Sequence, residues 1–177
     1  MTWKAYGQAW KKLNLHQWNR ATLKLKVLAF GTRMPDWVST ASAEYLKRLP
    51  SAYTPEMVEI TPAKRSSAKS TQQLLAEEDK RMLAHIKATD HVVALDKQGK
   101  NWSTEQLATK LDRWQQDGAD VCLLIGGPDG LGEGCLQRAQ QRWSLSNLTF
   151  PHPLVRVVLA EQLYRAWTIQ QGHPYHK

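Results

Sequence analysis

The feature that most constrains the fold is a continuous apolar run at residues 121–125, VCLLI, which GGPDG follows directly at 126–130. A strand that is apolar at every position, rather than at every second one, must be covered on both of its faces. The glycines, proline and aspartate that follow it are typical of a turn. The run therefore predicts a central strand of a parallel sheet that has helices on both sides.

The rest of the chain alternates between strand and helix patterns. Strand patterns occupy residues 23–30, 57–60 and 91–96, and residues 144–150 are expected to form a final short strand or extended loop. Helical patterns run over about 35–49, 70–87, 103–116 and 154–171. This order predicts an α/β fold with a mostly parallel sheet flanked by helices. Ligands of such sheets bind beyond the carboxyl ends of the strands.

Charge and cysteine content indicate the class of partner and the compartment. The chain has 24 Lys and Arg against 16 Asp and Glu, a formal net charge of +8, which favours nucleic acid as a partner. The only two cysteines, Cys122 and Cys135, form neither a disulfide framework nor a CxxC metal motif, so a reducing cytoplasm is expected. No apolar run reaches the length of a membrane span, and no membrane partner is expected.

The glycine-rich stretch at 125–134 does not match the common nucleotide-binding motifs. Cys135 stands where the third glycine of GxGxxG would follow Gly130 and Gly132, and no Lys-Ser/Thr pair is present. Three segments at expected strand ends, 94–96, 126–127 and 145–150, remain as a way to surround a small ligand. Their leucines are also ordinary core residues, so spacing alone leaves both roles open.

Several long segments resemble the ribosomal large-subunit RNA methyltransferase H family, which is of the SPOUT class. They are GTRMPDW at 31–37, LLIGGPDGL at 123–131, LSNLTFPHPLVRV at 145–157, and LYRAW with the GHPYHK ending. The resemblance covers residues 23–177 and implies one methyltransferase domain with a trefoil-knotted α/β fold, acting as a homodimer. It also implies methyl transfer from S-adenosylmethionine to N3 of pseudouridine in the helix 69 loop of 23S rRNA, in the large subunit or the assembled ribosome.

The resemblance further implies which residues bind the methyl donor. The family's donor contacts fall on Leu95, Gly126, Leu145, Ser146, Asn147, Leu148, Thr149 and Phe150. A sulfonium activates its own methyl group, so no metal is required. His173 and His176 lie in a Pro-broken tail without a further ligand cluster, and no metal site is expected there.

Methylation of an imide nitrogen requires loss of its proton, and the last third of the chain holds the candidate groups. These are Arg165, Tyr164, Glu161, His152, His173 and Tyr175. Three of them have an alternative role: Glu161 and Arg165 have the spacing of a helical ion pair, and His152 stands where the final helix begins. Tyr175 has the chemistry to stack on a splayed base. The sequence does not select the base, and the tail completes the partner subunit's site by family analogy.

Residues 1–22 stand apart from this pattern. They hold four basic and no acidic residues, with Trp3, Tyr6, Trp10, Leu13 and Trp18 near helical spacing. A transit peptide, an RNA-binding arm and a disordered extension all fit. Family members begin with Met at the position of Leu23, which favours a start assigned too far upstream.

Two other functions remain open from the sequence. One is a related knotted methyltransferase that acts on tRNA, and the other is a non-catalytic module that binds RNA or the ribosome. Eight cations are candidates for phosphate contacts: Arg33, Lys47, Arg48, Lys64, Arg65, Lys69, Arg138 and Arg142.

Overall fold

The computed structural model describes residues 22–177, in which helices lie on both faces of a five-stranded sheet. The strands are β1 (Leu23–Phe30), β2 (Tyr53–Ile60), β3 (His91–Asn101), β4 (Val121–Ile125) and β5 (Gln141–Ser144). The helices are α1 (Asp36–Leu46), α2 (Thr71–Leu83), α3 (Thr104–Asp117), α4 (Glu133–Arg138) and α5 (His152–Gln170), and a 3-10 turn follows at Pro174–His176.

The sheet has the order β2-β1-β4-β3-β5, and each neighbouring pair is parallel. Strand β4 lies in the centre and is buried at all five positions. The predicted parallel α/β fold and its central strand are therefore confirmed.

Side chains of β4 point alternately into two hydrophobic cores, which explains why it must be apolar throughout. Val121, Leu123 and Ile125 join the core that is covered by α1, α3 and α5. Cys122 and Leu124 join a smaller core that includes Met82 of α2 and Cys135 of α4. Both cysteines are free and buried.

The main departures from the sequence prediction lie around β3, α4 and β5. Strand β3 continues to Asn101, but residues 96–99 do not pair with β5. Leu95 before them and Lys100 after them both pair with Trp143 of β5. We call residues 96–99 the β3 excursion. The short helix α4 and the strand β5 at 141–144 were not predicted, whereas residues 145–150 form the extended loop that was one of the two alternatives for this segment.

Helix α2 ends at Leu83, four residues before the predicted end. Arg138 explains part of this difference, because its guanidinium donates hydrogen bonds to the carbonyls of Lys87, Ala88 and Asp90. These bonds hold the segment before β3 in a turn instead of a further helical turn.

The predictions for residues 1–22 concern a segment that, except for residue 22, lies outside the residues that the structure describes. Within residues 22–177, no helix has the length and apolar character needed to cross a membrane.

Candidate functional site

A cleft of about 160 Å³ lies where β3, β4 and β5 end. Its floor includes Leu95 and Ile125, the last residues through which β3 and β4 pair. The loop from Leu145 to Phe150 covers one side, and the Gly126-Gly127 turn and the start of α5 supply the rest. Its lining residues are Leu95, Asp96, Lys97, Ile125, Gly126, Gly127, Gly130, Trp143, Ser144, Leu145, Ser146, Leu148, Thr149, Phe150, His152 and Val155.

The three segments that the sequence singled out thus meet at one cleft. Of the eight predicted donor-binding residues, all except Asn147 contribute to its lining. Leu148 is 72% exposed, so it does not have the core role that its residue type left open. Donor binding by these residues stays a prediction.

Gly126 permits the tight turn beside the cleft. A Cβ atom on Gly126 would collide with the backbone of Gly130 and Leu131. Gly130 closes the turn with a positive φ of 87° and donates a backbone hydrogen bond to the Gly127 carbonyl at 3.0 Å. A side chain at position 126 would therefore disturb the turn itself, in addition to any effect on a ligand.

The cleft is mostly apolar, with one carboxylate and one amine at its rim. Leu95, Ile125, Leu145 and Val155 are among its aliphatic lining residues, and Asp96 and Lys97 supply the charges. The Asp96 carboxylate accepts a hydrogen bond from the backbone N–H of Gln98 at 3.1 Å, which fixes its side chain at the β3 excursion. Such a cleft suits a largely apolar ligand that carries both charges.

His152 is the one predicted catalytic residue that lines the cleft. It is the first residue of α5, and its Nδ1 is buried without a hydrogen-bond partner. Burial, together with the nearby charge of Arg156, lowers the pKa of His152 below its ordinary value of 6.5. His152 is therefore mainly neutral at pH 7 and can accept a proton.

Arg156 lies one turn further along α5 and is buried, with 2% exposure. Its Nη1 is 2.6 Å from Glu59 Oε1, and its Nη2 donates to the carbonyls of Phe30 and Gly31 at 2.9 and 2.7 Å. These bonds fasten α5 to the ends of β1 and β2. Arg156 thus fixes the position of His152 relative to the sheet.

Four of the other predicted catalytic residues form a separate cluster at the far end of α5. Glu161 accepts hydrogen bonds from Arg165 Nε at 2.8 Å and from the Tyr175 hydroxyl at 3.2 Å. The Tyr175 ring packs edge-on against Tyr164, at 4.9 Å between centroids. The ion pair between Glu161 and Arg165 expected from their spacing is confirmed.

The protonation states in this cluster follow from its contacts. The hydrogen bond to Glu161 raises the pKa of the Arg165 guanidinium, and burial raises the pKa of the Tyr175 phenol. Arg165 is therefore a permanent cation and Tyr175 a neutral hydroxyl at pH 7. Neither is a base in this arrangement.

The cluster does not reach the cleft of its own chain. His152 and Arg165 are separated by 13 residues of one helix, which corresponds to roughly 20 Å along its axis. His173 also lies at this end, where its Nδ1 accepts a hydrogen bond from the Tyr175 backbone N–H at 3.0 Å. Within one subunit, the predicted catalytic residues thus fall into two places.

Sequence reasoning missed several residues that shape the site. Trp143 lines the cleft and stacks on Trp102, with centroids 4.8 Å apart and 12° between the ring planes. Asp79 of α2 accepts hydrogen bonds from the backbone N–H groups of Gly134 and Cys135 and so holds α4 beyond the glycine turn. A distant carboxylate of this kind leaves no local sequence signal.

Five of the eight predicted phosphate-binding cations already have partners. Lys47 and Arg48 pair with Glu44, Arg65 with Asp129, Lys69 with Glu77, and Arg138 with backbone carbonyls. Among the residues that the structure describes, no group of three or more His, Cys, Asp or Glu side chains is arranged to hold a metal ion.

Comparison with known proteins gives a family match over the described chain. The family profile described as "Predicted SPOUT methyltransferase" matches residues 23–176. A protein of Chromohalobacter salexigens named "Ribosomal RNA large subunit methyltransferase H" is 56% identical over 155 residues, which are 88% of this chain and 100% of that protein.

Proteins with the same name in other organisms give similar matches. The one from Saccharophagus degradans is 56% identical, and the one from Methylococcus capsulatus is 51% identical. Each match covers 88% of this chain and 100% of the relative.

Proposed function

The chain belongs to the SPOUT methyltransferase family, among the ribosomal RNA large subunit methyltransferase H proteins, and on this premise we propose that it methylates ribosomal RNA. The observation that carries the proposal is the cleft beyond β3 and β4, which three separate segments of the chain form together. The relatives' name supplies the substrate class. The acceptor we propose is N3 of pseudouridine in the helix 69 loop of 23S rRNA, in the large subunit or assembled ribosome.

We propose S-adenosylmethionine as the ligand of the cleft. Its adenine and aliphatic parts suit the leucine, isoleucine and valine lining, while Asp96 and Lys97 have the charges to meet its ammonium and carboxylate groups. The cleft is smaller than the roughly 300–1,000 Å³ of typical ligand sites, so the exposed loop at 145–150 has to open further to admit it. When bound, this group supplies an electrophilic methyl, and no metal is needed.

The chain's own residues then have to position the acceptor and take its proton. His152 lines the cleft and is mainly neutral at pH 7, so among the predicted catalytic residues it is the best placed base. Arg156 holds His152 in place through its bonds to β1 and β2. We therefore assign proton removal to His152 and its positioning to Arg156.

We propose a homodimer in which the tail cluster of one subunit reaches the cleft of the other. In the cluster of Glu161, Arg165 and Tyr175, Glu161 lies roughly 14 Å and Arg165 roughly 20 Å from His152 along α5, and none of the three lines the cleft of its own chain. Trp37 of α1 is 53% exposed, and Leu154 and Val158 of α5 are only half-buried, which leaves apolar surface for a partner. In such a dimer, Arg165 stabilises the anion of the acceptor base or a neighbouring phosphate.

We further propose that residues 23–177 form the catalytic domain, that residues 1–22 are not required for it, and that the chain threads a trefoil knot near the cleft. We expect the protein to act in the cytoplasm, where its ribosomal substrate is found.

The substrate assignment is tested by incubating the purified full-length protein with methyl-labelled S-adenosylmethionine and either ribosomes or tRNA. Label is expected in the large-subunit RNA only. Label in tRNA alone would support the related tRNA enzyme instead. RNA binding without label in either RNA would support a non-catalytic module.

A further inference from the structure

A second hollow, of about 360 Å³, adjoins the cleft. It is lined by Lys100, Asn101, Trp102, Gln106, Thr109 and Lys110. The two sites share a wall, because Trp143 lines the cleft and stacks on Trp102, which lines the hollow. The β3 excursion also connects them, since its Asp96 and Lys97 lie in the cleft and Lys100, the residue that follows it, lies in the hollow.

Two lysines, Lys100 and Lys110, give the hollow a positive charge. The Lys110 ammonium lies 4.2 Å from the centroid of the Trp102 ring. Burial and the charges of Arg113 and Lys100 lower the pKa of Lys110. Arg113 lies outside the hollow and pairs with Asp117 at 3.8 Å, so Lys100 and Lys110 are the two cations that line it. Across residues 22–177, no carboxylate forms an ion pair with Lys100 or Lys110. Unpaired cations brought this close together favour an anionic ligand.

The polar groups around the two lysines complement an anion. The Gln106 side-chain oxygen accepts a hydrogen bond from the Ser103 N–H at 2.9 Å. The amide NH₂ group of Gln106 therefore points away from this bond and can donate a hydrogen bond to a ligand. Trp102 already contacts both Trp143 and Lys110, so it fixes the place of Lys110 rather than offering a surface to a nucleobase. The hollow thus presents donors and positive charge without a base-stacking face.

We propose that Lys110 and Lys100 bind a backbone phosphate of the RNA substrate beside the nucleotide held in the cleft, and that Trp102 is the positioning residue for Lys110. The inference rests on the proposed function, because the adjoining cleft supplies the reason for an RNA strand at this place. Phosphate contacts of this kind set the register of a nucleic acid without reading its sequence.

The test compares Lys110→Gln and Lys100→Gln with the unchanged full-length protein on purified ribosomes. Each lost phosphate contact lowers the slope of log affinity against log salt by about 0.7–0.9, so co-sedimentation at several salt concentrations measures it directly. We expect this smaller slope and a raised KM for ribosomes, with unchanged kcat and unchanged affinity for S-adenosylmethionine. Lys110→Arg is expected to restore the slope.

Lys80→Gln is the matched control, because Lys80 is an exposed lysine on α2 that is far from the hollow in the fold. It is expected to keep the original slope. Trp102→Leu is expected to lower the slope as Lys110→Gln does, and Trp102→Phe to restore it, because a phenyl ring still supports the ammonium.

An unchanged salt slope in both lysine variants would overturn the inference while leaving the proposed function intact. A loss of S-adenosylmethionine affinity in Lys110→Gln would also overturn it, because the role of Lys110 would then lie in the cleft. Failure of the proposed function has a different signature: the unchanged protein would transfer no methyl group to ribosomal RNA, whatever its salt slope.

Discussion

At the residue scale, Thr149 offers the cleanest probe of the cleft, because it lines the cleft and yet is exposed. A Thr149→Trp side chain would fill much of the 160 Å³ without removing any core contact. We expect the dissociation constant for S-adenosylmethionine to rise at least about 10-fold, or about 1.4 kcal/mol, in calorimetric titration.

Thr54→Trp is the control for this variant, since Thr54 is an exposed threonine on the edge strand β2. It should leave donor affinity unchanged, and both variants should keep the original melting temperature. Donor binding by Thr149→Trp as tight as that of the unchanged protein would place the donor elsewhere.

The proposed role of His152 as the general base can be tested by substitution. We expect His152→Gln to lower kcat by about 10²-fold or more, in keeping with loss of a general base, with little change in donor affinity. The unchanged enzyme should lose kcat/KM as the pH falls below about 6.5, because a lowered pKa keeps His152 neutral until more acidic pH.

This loss of activity at acidic pH should be absent from the residual activity of His152→Gln. A variant that keeps full kcat, or that still loses activity at acidic pH, would show that another group takes the proton. Rates measured from pH 5 to 8 with saturating donor distinguish these results.

The individual site residues could be predicted to differing extents. Glycines at a turn and a loop of Leu, Ser and Thr are visible in the sequence, and seven of the eight predicted residues line one cleft. Lys97 and Trp143 were missed because their places depend on the β3 excursion, on either side of which β3 pairs with a strand 40 or more residues away. A side chain introduced at Gly126 would test the turn and not the cleft alone, because its Cβ atom would collide with the backbone of Gly130 and Leu131.

At the scale of elements, α4 shows why a short helix can escape sequence analysis. It has six residues and no capping side chain of its own, and its first turn is held by Asp79, more than 50 residues earlier. A side chain at Gly132 would collide with the Asp79 carboxylate, so that glycine is needed for packing as well as for the turn. By contrast, the capping boxes of α2 and α3 lie within four residues, and Ser103 with Gln106 could be identified directly.

Asp79→Ala is expected to destabilise the fold, because two backbone N–H groups of α4 lose their acceptor. The expected loss is about 0.5–2 kcal/mol in the free energy of unfolding, measured by urea denaturation. Asp79→Asn retains an acceptor oxygen and should lose less. Equal stability of the unchanged protein and Asp79→Ala would mean that this carboxylate does not hold α4.

At the scale of the whole molecule, the proposed dimer places each active centre between two subunits. His152→Gln removes a group from the cleft, and Arg165→Ala removes one from the tail cluster. Each variant alone should have strongly reduced activity. Mixing equal amounts under conditions that exchange subunits should restore roughly a quarter of the sites, because half of the dimers then hold one intact centre.

This complementation is measured as ribosome methylation by the mixture relative to the separate variants. Activity that does not exceed the average of the two variants would show that the tail cluster does not act on the partner's cleft. Light scattering provides the independent check, and a monomer at the assay concentration would contradict the dimer itself.

The central claim is that this chain transfers a methyl group to pseudouridine in large-subunit ribosomal RNA. Mass mapping of the methylated nucleotides in ribosomal RNA, from cells with and without the gene, tests it most directly. We expect a single methyl group, on N3 of a pseudouridine in the helix 69 loop of 23S rRNA, to be present with the gene and absent without it. Identical methylation of ribosomal RNA in the two strains would contradict the claim.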